Sequence, residues 1–303
     1  GVAATYPPID GVPAIKKEAS RFIKNFLDLD VDAANCLPTV GSMQGAFASF
    51  MICGHTNKEK DTVLFIDPGF PVHKFQTKIL GLKMESFDIY EYRGEKLREK
   101  LESIFSTGKI HSVLYSNPNN PTWVCLTDEE LKIIGELANK YDVIILEDLA
   151  YFGMDFRKDY SHPGVAPFQP TVGKYTDNYI LMLSTSKAFS YAGERCAVLG
   201  ISNKLAERRY PDLKEFCGQE IFARGIIFGA LHPLSSGTSH SAQYAVAGVM
   251  KAVNDGTYNY RDDVLEYGEK AKMMKDAFTS NGFKFTYDED LGEPIADGFY
   301  FTY

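Results

Sequence analysis

The chain has 303 residues, of which 45% are hydrophobic and 24% charged, and these fractions are typical of a soluble globular protein with a large core. Its net charge of −8 argues against nucleic acid as the main partner. No apolar run approaches the roughly 20 residues that a membrane span needs, and no basic and then apolar secretory leader opens the chain. We therefore expect a cytoplasmic protein without a membrane partner, built as two domains or as one large domain with an appendage.

The cysteines and histidines argue against disulfides and metal sites. The five cysteines are odd in number and scattered, with no C-x-x-C pair, so we expect reduced thiols in a cytoplasm. A lone nucleophile is one use for Cys196, although a small buried residue is the simpler interpretation. The six histidines form no HExxH motif and no His/Cys cluster, and we expect no metal.

Short apolar runs that fit buried strands alternate along the chain with amphipathic helical patterns. The predicted helices are 14–27, 72–80, 95–105, 128–141, 242–253 and 262–278. In addition, the segment 37–46 leads into an apolar helix that ends near Cys53. The predicted strands are 62–66, 83–89, 112–115, 143–146, 179–183 and 197–201. Such alternation predicts a three-layer α/β/α domain around a mainly parallel sheet.

Two stretches near the end of the sequence predict a smaller sheet. Residues 283–287 and 299–303 alternate in polarity as its strands would. The sequence stops inside the second stretch, so we expect a small α+β domain that is cut short. We place the large domain, with its N-terminal segment, at 1–255, and the connecting helix and start of the small domain at 256–303. Residues 152–175 are rich in proline, glycine and charge, and predict a loop near the site.

Lys187 stands just after a predicted strand, beside the hydroxyls of Ser184 and Ser186. A lysine next to a packed core loses solvation, which favours its neutral, nucleophilic amine and suits it to a Schiff base. Arg195, eight residues later, offers a planar fork for a phosphate. On this stretch alone, a solvated lysine in an ordinary polar loop explains the residues about as well.

Gly41 and Ser42 stand at the start of a predicted helix. The free backbone amides and the positive dipole end at such a start suit a phosphate. A serine there is more often a simple cap, and the pattern alone is weak.

Three further strands are followed by residues that can contact a flat ring. Phe70 lies on the turn after the strand 62–66, where open α/β sheets bind ligands, although core packing is the simpler role. The run SNPNNPT is held rigid by two X-Pro steps and can aim the Asn120 amide inward. Asp148 ends a buried strand, where a carboxylate is costly unless it is paired or used. It could protonate a pyridine nitrogen, with Tyr151 reaching a ring hydroxyl, or it could simply cap a helix.

The motifs SNPNNPT, EDLAYF and STSKAFSYAGER, at their mutual spacing, resemble those of the fold-type I pyridoxal-phosphate enzymes. More narrowly, they resemble the class I and II aminotransferases, which include aspartate aminotransferase. The resemblance runs from Tyr6 to Tyr303. It implies pyridoxal 5′-phosphate as cofactor, an amino acid and a 2-oxo acid as substrates, and a homodimer with shared active sites.

The resemblance also implies a role for each matching residue. Lys187 would hold the cofactor covalently and shuttle the proton of the 1,3-shift. Asp148 would pair with the pyridine nitrogen, while Asn120 and Tyr151 would bond to the phenolic oxygen of the ring. The remaining cofactor contacts would come from Phe70 against the ring and, at the phosphate, from Gly41, Ser42, the Met43 backbone, Ser184, Ser186, Arg195 and the partner subunit's Tyr6.

The sequence departs from the family pattern in three places. Cys196-Ala197 follows Arg195 where the family usually has x-Gly, and Trp123 stands after SNPNNPT where a glycine is frequent. The arginine that grips the substrate carboxylate is expected beyond Tyr303.

Two other functions are compatible with the same motifs. A lyase acting by β- or γ-elimination, or a cyclopropane-forming synthase, would use the same lysine and electron sink, because substrate position decides which bond breaks. A ligand-sensing domain of a transcription regulator would need a DNA-binding module, which residues 1–303 do not supply.

Overall fold

The computed structural model describes residues 4–295, and a seven-stranded sheet lies at its centre. In spatial order the strands are β1, β7, β6, β5, β4, β2 and β3. They span Cys36–Val40 (β1), Thr62–Asp67 (β2), Lys83–Asp88 (β3), Ile110–Ser116 (β4), Ile144–Asp148 (β5), Tyr179–Ser184 (β6) and Cys196–Ile201 (β7).

The sheet is mainly parallel, as the sequence predicts. Strands β2 to β6 run in one direction, whereas β7 pairs antiparallel with both β6 and β1. The carboxyl ends of β1 to β6 therefore share one edge of the sheet with the amino end of β7. This edge is called the carboxyl edge below.

Helices cover both faces of the sheet. They are α1 (Pro13–Leu27), α2 (Gly41–Cys53), α3 (Pro71–Ile79), α4 (Glu95–Phe105), α5 (Asp128–Tyr141), α6 (Asn203–Glu207), α7 (Pro211–Cys217), α8 (Phe222–Arg224), a π-helix (Gly225–Leu231), α9 (His232–Ser235), α10 (His240–Asn254) and α11 (Tyr260–Ser280). One core cluster joins α1, α4, α5 and α10 to one face of the sheet, and a second joins α2, α6, α7 and α8 to the other. The large domain is thus the predicted three-layer α/β/α structure.

Local signals in the sequence account for the ends of several helices. Pro13 occupies the first turn of α1, where its missing N–H costs no hydrogen bond. At the start of α5, Thr127 and Glu130 form a capping box: each side chain accepts a hydrogen bond from the other residue's backbone N–H. These helices begin within a residue of their predicted starts.

Strand β1 was not predicted, and it contains Pro38, a residue that the interior of a sheet does not tolerate. Its position explains how it forms, since among the described strands β1 lies at the edge of the sheet and pairs with β7 alone. An edge strand tolerates a proline because one side of it has no strand to bond.

The strand predicted at 283–287 is wrong. Phe283 instead packs edge-on against Phe278 of α11, with ring centres 5.4 Å apart, and the Lys275 ammonium lies 5.5 Å from the Phe285 ring centre. Phe283 and Phe285 therefore pack back onto the helix, whereas Tyr287 contacts Tyr90 and donates from its hydroxyl to Asp88 at the end of β3. The two-residue strands β8 (Glu289–Asp290) and β9 (Glu293–Pro294) follow. The strand predicted at 299–303 lies outside the described residues.

Residues 152–175 are mainly loop, as predicted, with one 3₁₀ turn at Val172–Lys174. The boundary predicted at residue 255 falls in the turn between α10 and α11 and stays a prediction. Across residues 4–295, no helix combines the length and the apolar character that crossing a bilayer requires.

Candidate active site

A cavity of about 250 Å³ opens at the carboxyl edge. Ten of the twelve predicted site residues line it. They are Ser42, Met43, Phe70, Asn120, Asp148, Tyr151, Ser184, Ser186, Lys187 and Arg195. His73, Ser116, Ala150 and Ala192 complete the lining.

Topology explains why residues so distant in sequence meet here. Asp148 ends a parallel strand, and Phe70, Asn120 and Lys187 each follow one. Parallel strands end at the same edge of a sheet. Arg195 comes before its strand, but β7 runs antiparallel and so begins where the others end.

One end of the cavity is formed by the start of α2 and by Arg195. The N-cap of α2 is Val40, and no side chain caps this helix within the described part of the chain. Ser42 is therefore not the N-cap of this helix, and Ser42 and Met43 of its first turn line the cavity. With the guanidinium alongside, this arrangement suits an anion.

Gly41 fits closely against Arg195. Its backbone N–H donates to the Arg195 carbonyl over 2.9 Å. Its φ is +66°, and a Cβ placed on it would lie 2.5 Å from Nη2 of Arg195. Only a residue without a side chain leaves the guanidinium where it is. Gly41 thus belongs to the site although it does not line the cavity.

A compact turn carries Lys187. The Ser184 hydroxyl accepts from the Ser186 N–H at 3.2 Å, and the Thr185 hydroxyl donates to the Cys196 carbonyl at 2.6 Å. The Ser190 N–H donates to the Lys187 carbonyl at 3.0 Å. These bonds fix both ends of the segment, so the half-buried lysine projects from a rigid support. Its Nζ lies 6.0 Å from the centre of the Tyr151 ring.

Asp148 also lines the cavity and is only 7% exposed. Its carboxylate accepts from the Ala150 N–H at 3.0 Å, and its Oδ2 lies 3.7 Å from Nε2 of His73. The acid is thus neither solvated nor a cap for a following helix.

His73 is a site residue that sequence reasoning missed. Its Nδ1 lies 3.3 Å from Oε1 of Gln76, while the Gln76 amide nitrogen donates to the Met43 carbonyl at 2.8 Å. The His73 ring therefore lies between Gln76 and the Asp148 carboxylate, and through Gln76 it links this acid to the start of α2. The available signal was the spacing of Phe70 and His73, one helical turn apart at the start of α3.

The loop after β4 presents Asn120. Both of its proline peptide bonds, Asn117–Pro118 and Asn120–Pro121, are cis. The neighbouring Asn119 side chain is used inside the loop: it donates to the Pro68 carbonyl at 2.6 Å and accepts from the Thr122 hydroxyl at 2.8 Å. The loop therefore holds itself together and leaves the Asn120 side chain to the cavity.

Phe70 and Tyr6 are both exposed, in different places. Phe70 is 43% exposed at the cavity and is not packed into the core. Tyr6 is 91% exposed and lies apart from the site of its own chain, in a surface cavity of about 440 Å³ that it shares with residues 235–241.

Two buried groups near the site have pKa values shifted by burial. Burial raises the pKa of the Cys196 thiol to about 12, so this cysteine is a core residue and not a nucleophile. Burial also raises the pKa of Glu147 to about 7, although its carboxylate accepts from the Tyr115 and Thr171 hydroxyls and the Val172 N–H. Glu147 neighbours Asp148 on β5, so its side chain points to the other face of the sheet.

Comparison with known proteins gives one consistent family. The family model described as "Aminotransferase class I and II" matches residues 1–290. The chain is 28% identical over 200 residues to a probable aspartate aminotransferase of Methanocaldococcus jannaschii, an alignment that covers 66% of this chain and 50% of that protein. It is 27% identical over 269 residues to a glutamate-pyruvate aminotransferase of Escherichia coli, covering 87% of this chain and 59% of the relative.

Solved structures give the same fold. An aspartate aminotransferase from Thermotoga maritima superposes with a TM-score of 0.73 at 19% identity, over 93% of this chain and 67% of that one. An aminotransferase from Mycobacterium tuberculosis superposes with a TM-score of 0.72 at 18% identity, over 92% of this chain and 64% of that one. The chain spans about half the length of the curated relatives it matches.

Proposed function

Because the chain belongs to the class I and II aminotransferases, we propose that the protein transfers an α-amino group from an amino acid to a 2-oxo acid. The cofactor of this family is pyridoxal 5′-phosphate. The observation that carries the proposal is the meeting of Lys187, Asp148 and the Arg195–α2 anion site around one cavity. When bound, the cofactor acts as an electron sink that weakens the bonds at the Cα of an amino acid.

The residues present fit this cofactor at each of its polar ends. The uncapped start of α2, the Arg195 guanidinium and the hydroxyls of Ser42, Ser184 and Ser186 would bind the phosphate. The close fit of Gly41 against Arg195 supports this assignment, since a Cβ there would displace the guanidinium from the anion site.

At the other end, Asp148 would hold a proton on the pyridine nitrogen. Its carboxylate needs a cationic partner because it is almost completely buried. The His73 ring lies 3.7 Å from this carboxylate and, through Gln76 and Met43, ties the acid to the start of α2. The two ends of the site are therefore held at a fixed separation by side chains of α3.

Lys187 would carry protons between the reacting carbons at Nζ, accepting one from the Cα of the substrate and returning one. Asn120 and Tyr151 would donate hydrogen bonds to the phenolic oxygen of the ring, and Phe70 would cover one ring face and exclude water. Each of these side chains stands on a loop fixed by its own hydrogen bonds, so little reorganisation accompanies binding.

We also propose a homodimer in which each Tyr6 reaches the phosphate in the partner's site. Its exposure supports this, because such a tyrosine makes little contact within its own chain. Phe75 and Ile79, one turn apart on α3, are 61% and 74% exposed and suit an interface between copies. A cytoplasmic location is supported by the five free cysteines.

The test is transamination by the full-length protein. With pyridoxal 5′-phosphate, a panel of amino acids and 2-oxoglutarate, we expect glutamate to accumulate, as measured by chromatography. Lys187→Ala should abolish covalent cofactor binding and lower turnover by at least about 10³-fold, while the circular dichroism spectrum stays unchanged. Lys17→Ala, which removes an exposed lysine, is the matched control. Undiminished turnover in Lys187→Ala, or release of ammonia without a new amino acid, would contradict the proposal.

A further inference from the structure

Trp123 follows the SNPNNPT loop directly and has an unusual backbone conformation. Its φ is +62°, in the left-handed region that large side chains rarely adopt. The side chain is fully buried, with 0% exposure. Its backbone N–H donates to the Asn119 carbonyl at 2.8 Å, which closes the loop that presents Asn120. The chain therefore keeps an indole where a glycine would be free of strain.

The indole contacts a second loop, residues 150–156. Its Nε1–H donates to the Met154 carbonyl at 2.8 Å. The ring lies edge-on to Tyr151, with centres 5.2 Å apart and planes at 65°, and it is nearly parallel to Phe156 at 6.5 Å. Trp123 thus joins the loop of Asn120 to the loop of Tyr151.

Tyr151 lies between this indole and the cavity. The centre of its ring is 5.2 Å from that of Trp123 and 6.0 Å from Nζ of Lys187. With Met154 and Val264 of α11, Trp123 and Tyr151 form a small buried cluster separate from the two main cores. Aromatic edge contacts of this kind restrict the tilt of a ring, and so the place of its hydroxyl.

We propose that Trp123 is a positioning residue for the aminotransferase site, which sets the orientation of Tyr151 and fixes it relative to Asn120. This rests on the proposed function, in which both residues donate to the same ring oxygen. A single side chain would then control the spacing of the two donors. The contacts of the indole offset the strain of its backbone, and glycine could not supply them.

The proposal predicts a change in proton affinity and not only in stability. A hydroxyl that donates to the ring oxygen withdraws part of its negative charge, so the nitrogen of Lys187 in the loaded protein holds its proton less tightly. If Tyr151 is misplaced, that nitrogen keeps its proton to a higher pH. The readout is the pH midpoint at which the visible absorbance of the loaded protein titrates.

Trp123→Gly suits the backbone but loses every indole contact, and we expect its midpoint to rise by at least about half a pH unit. Trp123→Phe keeps an aromatic edge against Tyr151, so its midpoint should stay close to that of the wild type. Phe105→Leu, which perturbs a buried aromatic at the opposite edge of the sheet, should lower Tm and leave the midpoint unchanged. The Phe variant also keeps the test open if Trp123→Gly does not fold.

A double-mutant cycle decides whether the effect passes through Tyr151. In the Tyr151→Phe background, Trp123→Gly should add no further shift. An equal shift in both backgrounds, or none in Trp123→Gly with a lowered Tm alone, would overturn the proposal. Trp123 is the only tryptophan of the chain, so tryptophan fluorescence reports on this indole alone. Cofactor bound in the cavity beside Tyr151 should quench that fluorescence by more than about half. A wild-type protein that gains no visible absorbance would instead overturn the proposed function.

Discussion

At the scale of single residues, the anion end of the site depends on a position that has no side chain. Gly41 combines a φ of +66° with a backbone bond to Arg195 and a gap that a Cβ would fill. The site therefore needs a glycine for two independent reasons, conformation and space. A replacement here would therefore both strain the backbone and displace the Arg195 guanidinium.

Gly41→Ala is expected to weaken cofactor binding about tenfold, or by about 1.4 kcal/mol, because the added Cβ displaces a guanidinium that bonds the phosphate. The left-handed conformation should also cost about 1 kcal/mol of folding stability. Equilibrium titration with pyridoxal 5′-phosphate measures the first effect and urea unfolding the second. Gly248→Ala is the control, since a Cβ at this position of α10 meets open space. Equal affinity in the two variants would show that Arg195 does not bind the phosphate.

The sequence predicted the residues that line the cavity better than it predicted the residues that hold them in place. Asp148 was identifiable as a costly carboxylate at the end of a buried strand, Lys187 as a lysine beside a packed core, and Asn120 as an amide on a loop made rigid by two prolines. His73 was not, because a histidine three positions after an aromatic is equally consistent with a satisfied core residue. Trp123 was noticed only as a departure from the family pattern. Its positive φ depends on the loop closing on Asn119, which no local pattern predicts.

At the scale of elements, the sequence predicts strands and helices well where the apolar period is clear. It predicts them poorly where tertiary position decides. Strand β1 exists because β7 offers it a partner at the sheet edge, and Phe283 and Phe285 pack onto α11 because that helix is close. In both cases the deciding contact comes from another element.

The contact between β5 and the 3₁₀ turn at Val172–Lys174 should stabilise the fold to an extent that depends on pH. Glu147 joins them through the Thr171 hydroxyl and the Val172 N–H. Burial raises its pKa from 4.5 to about 7, so the folded chain holds a proton that the unfolded chain releases. This contribution to stability is complete below pH 4.5 and is lost as the pH rises through 7.

Between pH 5 and 8, we expect the wild-type protein to lose about 2 to 3 kcal/mol of unfolding free energy relative to Glu147→Gln, which cannot ionise. Urea unfolding at several pH values gives the two curves. Glu99→Gln removes an exposed carboxylate and should follow the wild-type curve. Parallel curves for wild type and Glu147→Gln would mean that Glu147 does not titrate in this range.

At the scale of the whole molecule, the cavity of the described residues would be, under the proposed function, the cofactor half of an aminotransferase site. The cavity contains two cations, Lys187 and Arg195, and the proposal uses both. Tyr6 is the predicted site residue that its own chain does not bring to the cavity. Its segment is instead tied to the start of α10, where Nδ1 of His240 lies 3.1 Å from the Thr5 carbonyl. The segment thus lies on the surface beside α10, and the exposed Tyr6 is available to the partner subunit of the proposed dimer.

Mixed dimers test whether Tyr6 acts across an interface. Tyr6→Ala homodimers should bind pyridoxal 5′-phosphate about tenfold more weakly than wild type, and Lys187→Ala homodimers should bind none covalently. A hybrid of the two variants can be co-expressed with different tags and purified through both. One of its sites then pairs an intact Lys187 with the intact Tyr6 of the partner subunit. If Tyr6 crosses the interface, the hybrid gains one covalent site of wild-type affinity and about half of wild-type turnover. If Tyr6 serves its own chain, the subunit that keeps Lys187 lacks Tyr6, and covalent binding in the hybrid stays as weak as in Tyr6→Ala.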